Sequence, residues 1–294
     1  MSGKEENHDS LSRRNFLTKA GVLTAGFLAT GFVGINSIAN ADTTPSTGDA
    51  GASTTPAPSS GSGAADSGQS AGSNAANLVL PLKYNKLDIE VVRKRGYEGY
   101  YKGACCYGAA YALLTTLNEA APDAGWDTIP PQMFSYGGGG ALSWGTLCGA
   151  LNSSLAVLNL ASSKYSDLGN ELIGWYTGFA FPSNKHEDYC LIHNQVTTVA
   201  ESPLCHVSVS RWSEAAGKDG RINDAGKKDR CAKLTGDVAA KTAELLNQAL
   251  EGTFKATYTA PDSFAHCLSC HTGKTSMLDN EQGKMNCAVC HTDL

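Results

Sequence analysis

Apolar residues fall at helical spacing over one long central stretch, about residues 78–252, interrupted by glycine-rich connections. Over 104–121, Cys106, Ala110, Leu113 and Leu117 form one stripe, and Pro122 ends it because proline cannot continue the hydrogen-bond ladder. A glycine run, 137–140, precedes a second helical pattern carrying Leu147, Leu151, Leu155 and Leu158. Ser202-Pro203 reads as an N-cap followed by proline at the first helical position. A long helix is predicted over 229–250, with Leu234, Val238, Leu245 and Ala249 inward. The expected fold is therefore mostly α. A helical, cysteine-bearing domain (78–255) is followed by a short, largely irregular segment (256–294).

The pattern is absent before residue 78. Ser12-Arg13-Arg14-Asn15-Phe16-Leu17 reads as a twin-arginine export signal, followed by an uncharged, glycine-interrupted stretch and the small residues Ala39-Asn40-Ala41. Residues 1–41 are thus expected to be a signal peptide addressing the chain to the periplasm, and a membrane tether only if it stays uncleaved. Residues 42–77 are almost wholly Gly, Ser, Ala, Thr and Pro, too poor in apolar surface to offset chain entropy, and read as a flexible linker. The twin-arginine route moves folded cargo, which suggests a cofactor assembled before export.

Net charge is −5 without basic blocks, so the electrostatic footprint of a nucleic-acid partner is missing. Ten cysteines change the picture most. Cys267-Leu268-Ser269-Cys270-His271 and Cys287-Ala288-Val289-Cys290-His291 are both C-x-x-C-H. Two thiols at this spacing reach the two vinyl groups on one haem edge, and the adjacent histidine becomes the axial ligand of the iron. Two haem c groups are expected, with Cys267, Cys270, Cys287 and Cys290 as attachment points and His271 and His291 as iron ligands. His186, His193, His206 and His266 are the candidate sixth ligands, with Met277 and Met285 as alternatives. His186 and His193, seven apart, fall on one face of a predicted helix. The tail is too short to enclose two haems, so they must pack on each other, the main domain or another subunit.

Cys106, Cys148, Cys205 and Cys231 each fall in the first turn of a predicted helix, where free N–H groups and the helix dipole favour thiolate. Four converging thiolates suit an iron–sulfur cluster. Cys105 and Cys190 are alternates, and disulfides among the six account for the spacing equally well.

At these residues a resemblance enters. Gly145-Thr146-Leu147-Cys148-Gly149-Ala150-Leu151 resembles the C-G-A-x-x-G motif of a four-cysteine redox-active family, with Ser153 replacing the final glycine. Together with Leu204-Cys205-His206-Val207-Ser208-Val209-Ser210-Arg211-Trp212 and the two C-terminal motifs, residues 78–294 resemble split-Soret cytochrome c. The resemblance implies a homodimer with stacked haems, bis-histidine ligation exchanged between subunits, and an iron–sulfur centre on Cys106, Cys148, Cys205 and Cys231. The expected function is electron transfer outside the cytoplasm, with redox proteins as partners and no catalytic residues. A haem or iron–sulfur oxidoreductase reducing a small substrate at an open haem position is the alternative, and a disulfide-stapled binding module a third.

Overall fold

The computed structural model describes residues 79–218, 224–259, 269, 284–286 and 289, all within one compact unit, Ser70–Leu294. The export signal, the linker, His266 and the cysteines and histidines of both haem motifs lie outside the described residues.

The fold is mostly helical, as expected. Helix α1 (Ile89–Ala120) begins where the Asp88 carboxylate accepts hydrogen bonds from the backbone of Glu90 and Val91, at 2.9 and 3.1 Å. It breaks at Gly103 and Ala104, the latter at φ 64°. A Cβ on Gly108 would lie 2.6 Å from the Tyr100 nitrogen. Eight residues of straight helix span about 12 Å, so the chain turns a sharp corner there. The half after the corner carries the stripe seen in the sequence. The half before it buries Arg93, Gly96, Tyr97 and Gly99, and such a face carries little hydrophobic signal.

Three short 3-10 turns follow, Pro122–Ala124, Trp126–Thr128 and Pro131–Gly137. Helices α2 (Gly149–Ala161) and α3 (Tyr165–Gly178) come next, then strands β1 (Ala180–Phe181) and β2 (Thr198–Val199), paired antiparallel with Ala180 opposite Val199. Helices α4 (Cys205–Lys218) and α5 (Asp224–Leu250) complete the described helices. Among the described residues no helix is long and apolar enough to cross a membrane.

Helix α5 is the central rod of the core. It meets α1 closely because both offer glycine at the contact: a Cβ on Gly96 would lie 2.8 Å from the Gly236 Cα. Leu234, Val238 and Leu245 are buried as expected. Buried charges share the rod and are paired. Asp237 meets Arg93 at 2.6 Å and His186 at 3.0 Å; Asp229 accepts from Tyr97 at 2.6 Å and lies 3.4 Å from Lys233. The segment before α1 is held to the far end of the rod by Asn247, which accepts from Tyr84 and from the Leu87 N–H and donates to the Leu87 carbonyl.

Three local expectations are corrected. Helix α5 already runs at Asp224, so Cys231 sits in its interior and not in a first turn. Helix α4 begins at Cys205, because the Pro203 carbonyl is drawn away to accept the Cys148 N–H at 2.9 Å. The segment holding His186 and His193 is a turn, and the two histidines do not share a helical face.

Candidate functional site

Two short backbone pairings bring Cys148 and Cys205 together. Leu147 bridges Leu204 antiparallel, the Cys205 N–H donates to the Thr146 carbonyl at 2.7 Å, and the His206 N–H donates to the Gly145 carbonyl at 3.1 Å. Cys148 thereby caps the start of α2, and Cys205 opens α4. The corner in α1 supplies Cys105, and one face of α5 supplies Cys231. Cys105, Cys205 and Cys231 line a cavity of about 620 Å³, with Tyr100 and His206 also on its wall.

Glycine at position 149 is a packing requirement. A Cβ there would meet the Gly137 carbonyl oxygen, would lie 2.6 Å from the Cys105 sulfur, and would lie 3.0 Å from the Cys106 Cβ. Ser153, the departure from the motif, sits under the same corner, donates to the Gly149 carbonyl at 3.4 Å and opposes the rise that burial imposes on the Cys106 thiol.

The electrostatics separate the cysteines into groups. Burial pushes the Cys105 thiol well up, and the charges of Cys148, Cys231 and Cys205 push it further. Burial also raises Cys148, opposed by Tyr176 and by the free N–H groups of Ala150 and Leu151, while Cys231 adds to the rise. Cys205 is pushed up to about 12 by burial and by Cys148 and Cys231, with Arg230 opposing. Every pair among Cys105, Cys148, Cys205 and Cys231 is thus close enough to interact. Cys106 senses Cys148 alone among the thiols and turns into the core against Gly137, with its thiol pushed up to about 11 by burial. The corner at Gly103 and Ala104 fixes which of the two adjacent cysteines faces the cavity, and it is Cys105.

Two side chains absent from the sequence reading complete the site. Arg230, fully buried, donates to the Ser208 hydroxyl at 2.7 Å, places Nη1 3.9 Å from the Cys231 sulfur, and leaves its Nε without a partner. The Tyr176 hydroxyl is buried beside Cys148, also without a partner of normal hydrogen-bond geometry. Arg230 adjoins Cys231 in sequence and could have been flagged on that ground. Nothing in the sequence points to Tyr176.

The cavity mouth is formed by an unusual turn. Gly139, Gly140, Ala141, Leu142 and Ser143 all have positive φ, from 51° to 71°, with Leu142 74% and Trp144 83% exposed beyond them.

The histidines separate as well. His186 is fully buried, its Nε2 3.0 Å from Asp237 and its Nδ1 3.1 Å from the Tyr189 hydroxyl, so neither nitrogen is free for a haem iron. His206 is exposed at the cavity and His193 is exposed on the turn between the strands. Cys190 is buried away from the four-thiol group, near His193 and Lys233.

Comparison with known proteins places the chain among redox proteins. Residues 105–245, beginning at Cys105, match the family described as "Putative redox-active protein (C_GCAxxG_C_C)". The chain is 31% identical over 220 residues to split-Soret cytochrome c of Desulfovibrio desulfuricans, covering 71% of this chain and 77% of that protein. It also resembles a solved structure concerned with a novel iron centre in the split-Soret cytochrome c of Desulfovibrio desulfuricans ATCC 27774. That match has a TM-score of 0.64 at 30% identity, over 72% of this chain and 90% of that one.

Proposed function

The chain belongs to the split-Soret cytochrome c family and is a redox, electron-transfer protein, and on that premise we propose that it is an exported carrier holding two haem c groups and an iron–sulfur centre. The observation that carries the third cofactor is the gathering of four mutually interacting thiols, three of them on one cavity wall, beside a buried arginine. None of the four cysteines is in a disulfide, and Cys105, Cys148 and Cys205 are poorly placed as thiolates, since burial and the neighbouring thiols raise their pKa values. A cation among them reverses that balance. The space, the soft sulfur donors and the unpartnered Tyr176 hydroxyl and Arg230 Nε fit an iron–sulfur group.

Cys105, Cys148, Cys205 and Cys231 would hold that group, with Cys105 in place of Cys106. When bound, it supplies one-electron exchange. The chain's own residues set the terms of that exchange. Arg230 offsets the negative charge of the thiolates, and the Ala150 and Leu151 N–H groups and the Tyr176 hydroxyl favour the charged form of Cys148.

Cys267 and Cys270, with His271, hold one haem in this reading, and Cys287 and Cys290, with His291, the other. The candidates for the sixth ligands are His206, His266 and His193, since both nitrogens of His186 are engaged. The family relationship favours a homodimer serving redox partner proteins in the periplasm.

Anaerobic purification with haem and non-haem iron counted per chain, and the reduced spectrum recorded on the same sample, tests this reading. Two haems with about two to four further irons are expected. Two haems without other iron would return the four cysteines to the disulfide reading, and fewer than two haems would sink the carrier. A five-coordinate, high-spin haem would favour the oxidoreductase instead.

A further inference from the structure

The turn between β1 and β2 gathers a second set of donor atoms, away from the four-cysteine group. Glu187, Cys190 and His193 each offer one ligand atom, and the three lie within 4.8 Å of one another. His193 Nδ1 is 3.1 Å from Glu187 Oε2 and 3.6 Å from the Cys190 sulfur. Both contacts converge on the same ring nitrogen. A nucleophile–base–carboxylate relay needs the two partners on opposite nitrogens, and a single N–H serves one acceptor well. Hydrogen bonding therefore accounts for one contact and leaves the other unexplained.

A cation between the three accounts for both. Tetrahedral zinc has Zn–N and Zn–O near 2.0–2.2 Å and Zn–S near 2.3 Å, which gives edges of about 3.3 Å for N···O and about 3.6 Å for N···S. The observed separations match those edges closely.

The surroundings are also those of a ligand set. The Asn194 N–H donates to Glu187 Oε2 at 3.1 Å. Lys233, fully buried, takes the opposite oxygen, Oε1, at 3.4 Å and is itself paired with Asp229. The carboxylate is thus oriented from behind, as supporting partners of metal ligands do. The Cys190 thiol donates weakly to the Ile192 carbonyl at 3.5 Å, so it has a proton to give up. His193 is 58% exposed, leaving a way in from solvent.

We propose that Glu187, Cys190 and His193 bind one zinc-class divalent cation, with water as the fourth ligand. Binding forms the metal–sulfur bond and releases the thiol proton to solvent, with no change of oxidation state. The charges of Glu187 and the Cys190 thiolate neutralise the dication. The site stands independently of the iron–sulfur reading. It also takes His193 off the haems, leaving His206 and His266.

The test uses full-length protein with its native cofactors loaded, titrated with Zn2+ by calorimetry and examined by zinc X-ray absorption. One zinc per chain with a single sulfur neighbour is expected. Cys190→Ser and His193→Ala should each weaken binding at least about tenfold, with haem and non-haem iron content unchanged. Glu187→Gln, at a partly exposed position, gives the same readout if Cys190→Ser fails to fold. No zinc uptake, or zinc with several sulfur neighbours, would overturn the site. So would a His193→Ala protein in which one haem becomes five-coordinate, because His193 would then be a haem ligand.

Discussion

Replacing Arg230 with methionine keeps much of the side-chain volume and removes a buried positive charge from beside the four thiols. The consequence for the proposed iron–sulfur centre can be worked from one distance. Arg230 Nη1 lies 3.9 Å from the Cys231 sulfur. A unit charge about 4 Å away is worth about 4 kcal/mol at an effective dielectric constant near 20. An added electron is spread over the whole centre and its other ligands, so about half of that, ~2 kcal/mol, acts on it. Reduction adds negative charge, so loss of the guanidinium disfavours it. With one-electron scaling of about 59 mV per tenfold, the potential falls by roughly 90 mV. A redox titration followed by electron paramagnetic resonance on the holoprotein measures this directly, and optical titration of the haems in the same sample serves as reference. A change below about 20 mV, or an equal shift in the haems, would refute the placement of the charge at the centre.

Two further perturbations separate site from scaffold. Cys105→Ala should lose non-haem iron, whereas Cys106→Ala should keep it and lose only about 1 kcal/mol of stability for the one buried sulfur removed from the core. Iron assay and denaturant midpoints check both. Asp237→Asn breaks the pairing with Arg93 and His186, and loss of one partner from a buried ion pair costs about 3–5 kcal/mol, read as a lower denaturant midpoint at constant slope. Burial pushes Asp237 up, but His186 and Ser183 outweigh it and hold the carboxylate below its ordinary value. The stability it contributes is therefore complete above the unfolded value of about 3.9 and is lost as pH falls through the lower folded one. Wild-type and Asp237→Asn midpoints should converge in acid.

The second half of α1 and helices α2 and α5 were legible because their apolar stripes keep helical period, as in Leu234, Val238 and Leu245, whereas α3, which buries Leu168 and Leu172, was not among the predicted helices. The first half of α1 was not, because its buried face is glycine, arginine and tyrosine. The group of cavity cysteines could be picked out by type, but the choice between Cys105 and Cys106 could not. Adjacent residues on a helix point about 100° apart, and the phase is set by a corner at Gly103 and Ala104 that no local pattern announces. His186 looked like a ligand until its two nitrogens were found engaged by Asp237 and Tyr189, partners 51 residues away and 3 residues away. The donor set at Glu187, Cys190 and His193 depends on a turn where the spacing suggested a helix.

The turn at the cavity mouth has a consequence of handedness. Ala141, Leu142 and Ser143 sit in the basin that L-residues avoid, at about 1–2 kcal/mol each. For the mirror-image amino acid the same basin is the comfortable one. A protein assembled by peptide ligation with D-alanine at position 141 should melt higher than the natural chain, the reverse of what a D-residue does within an ordinary helix. This stretch of backbone is built to the opposite chirality from its own monomers, and Leu142 and Trp144 are carried outward on it.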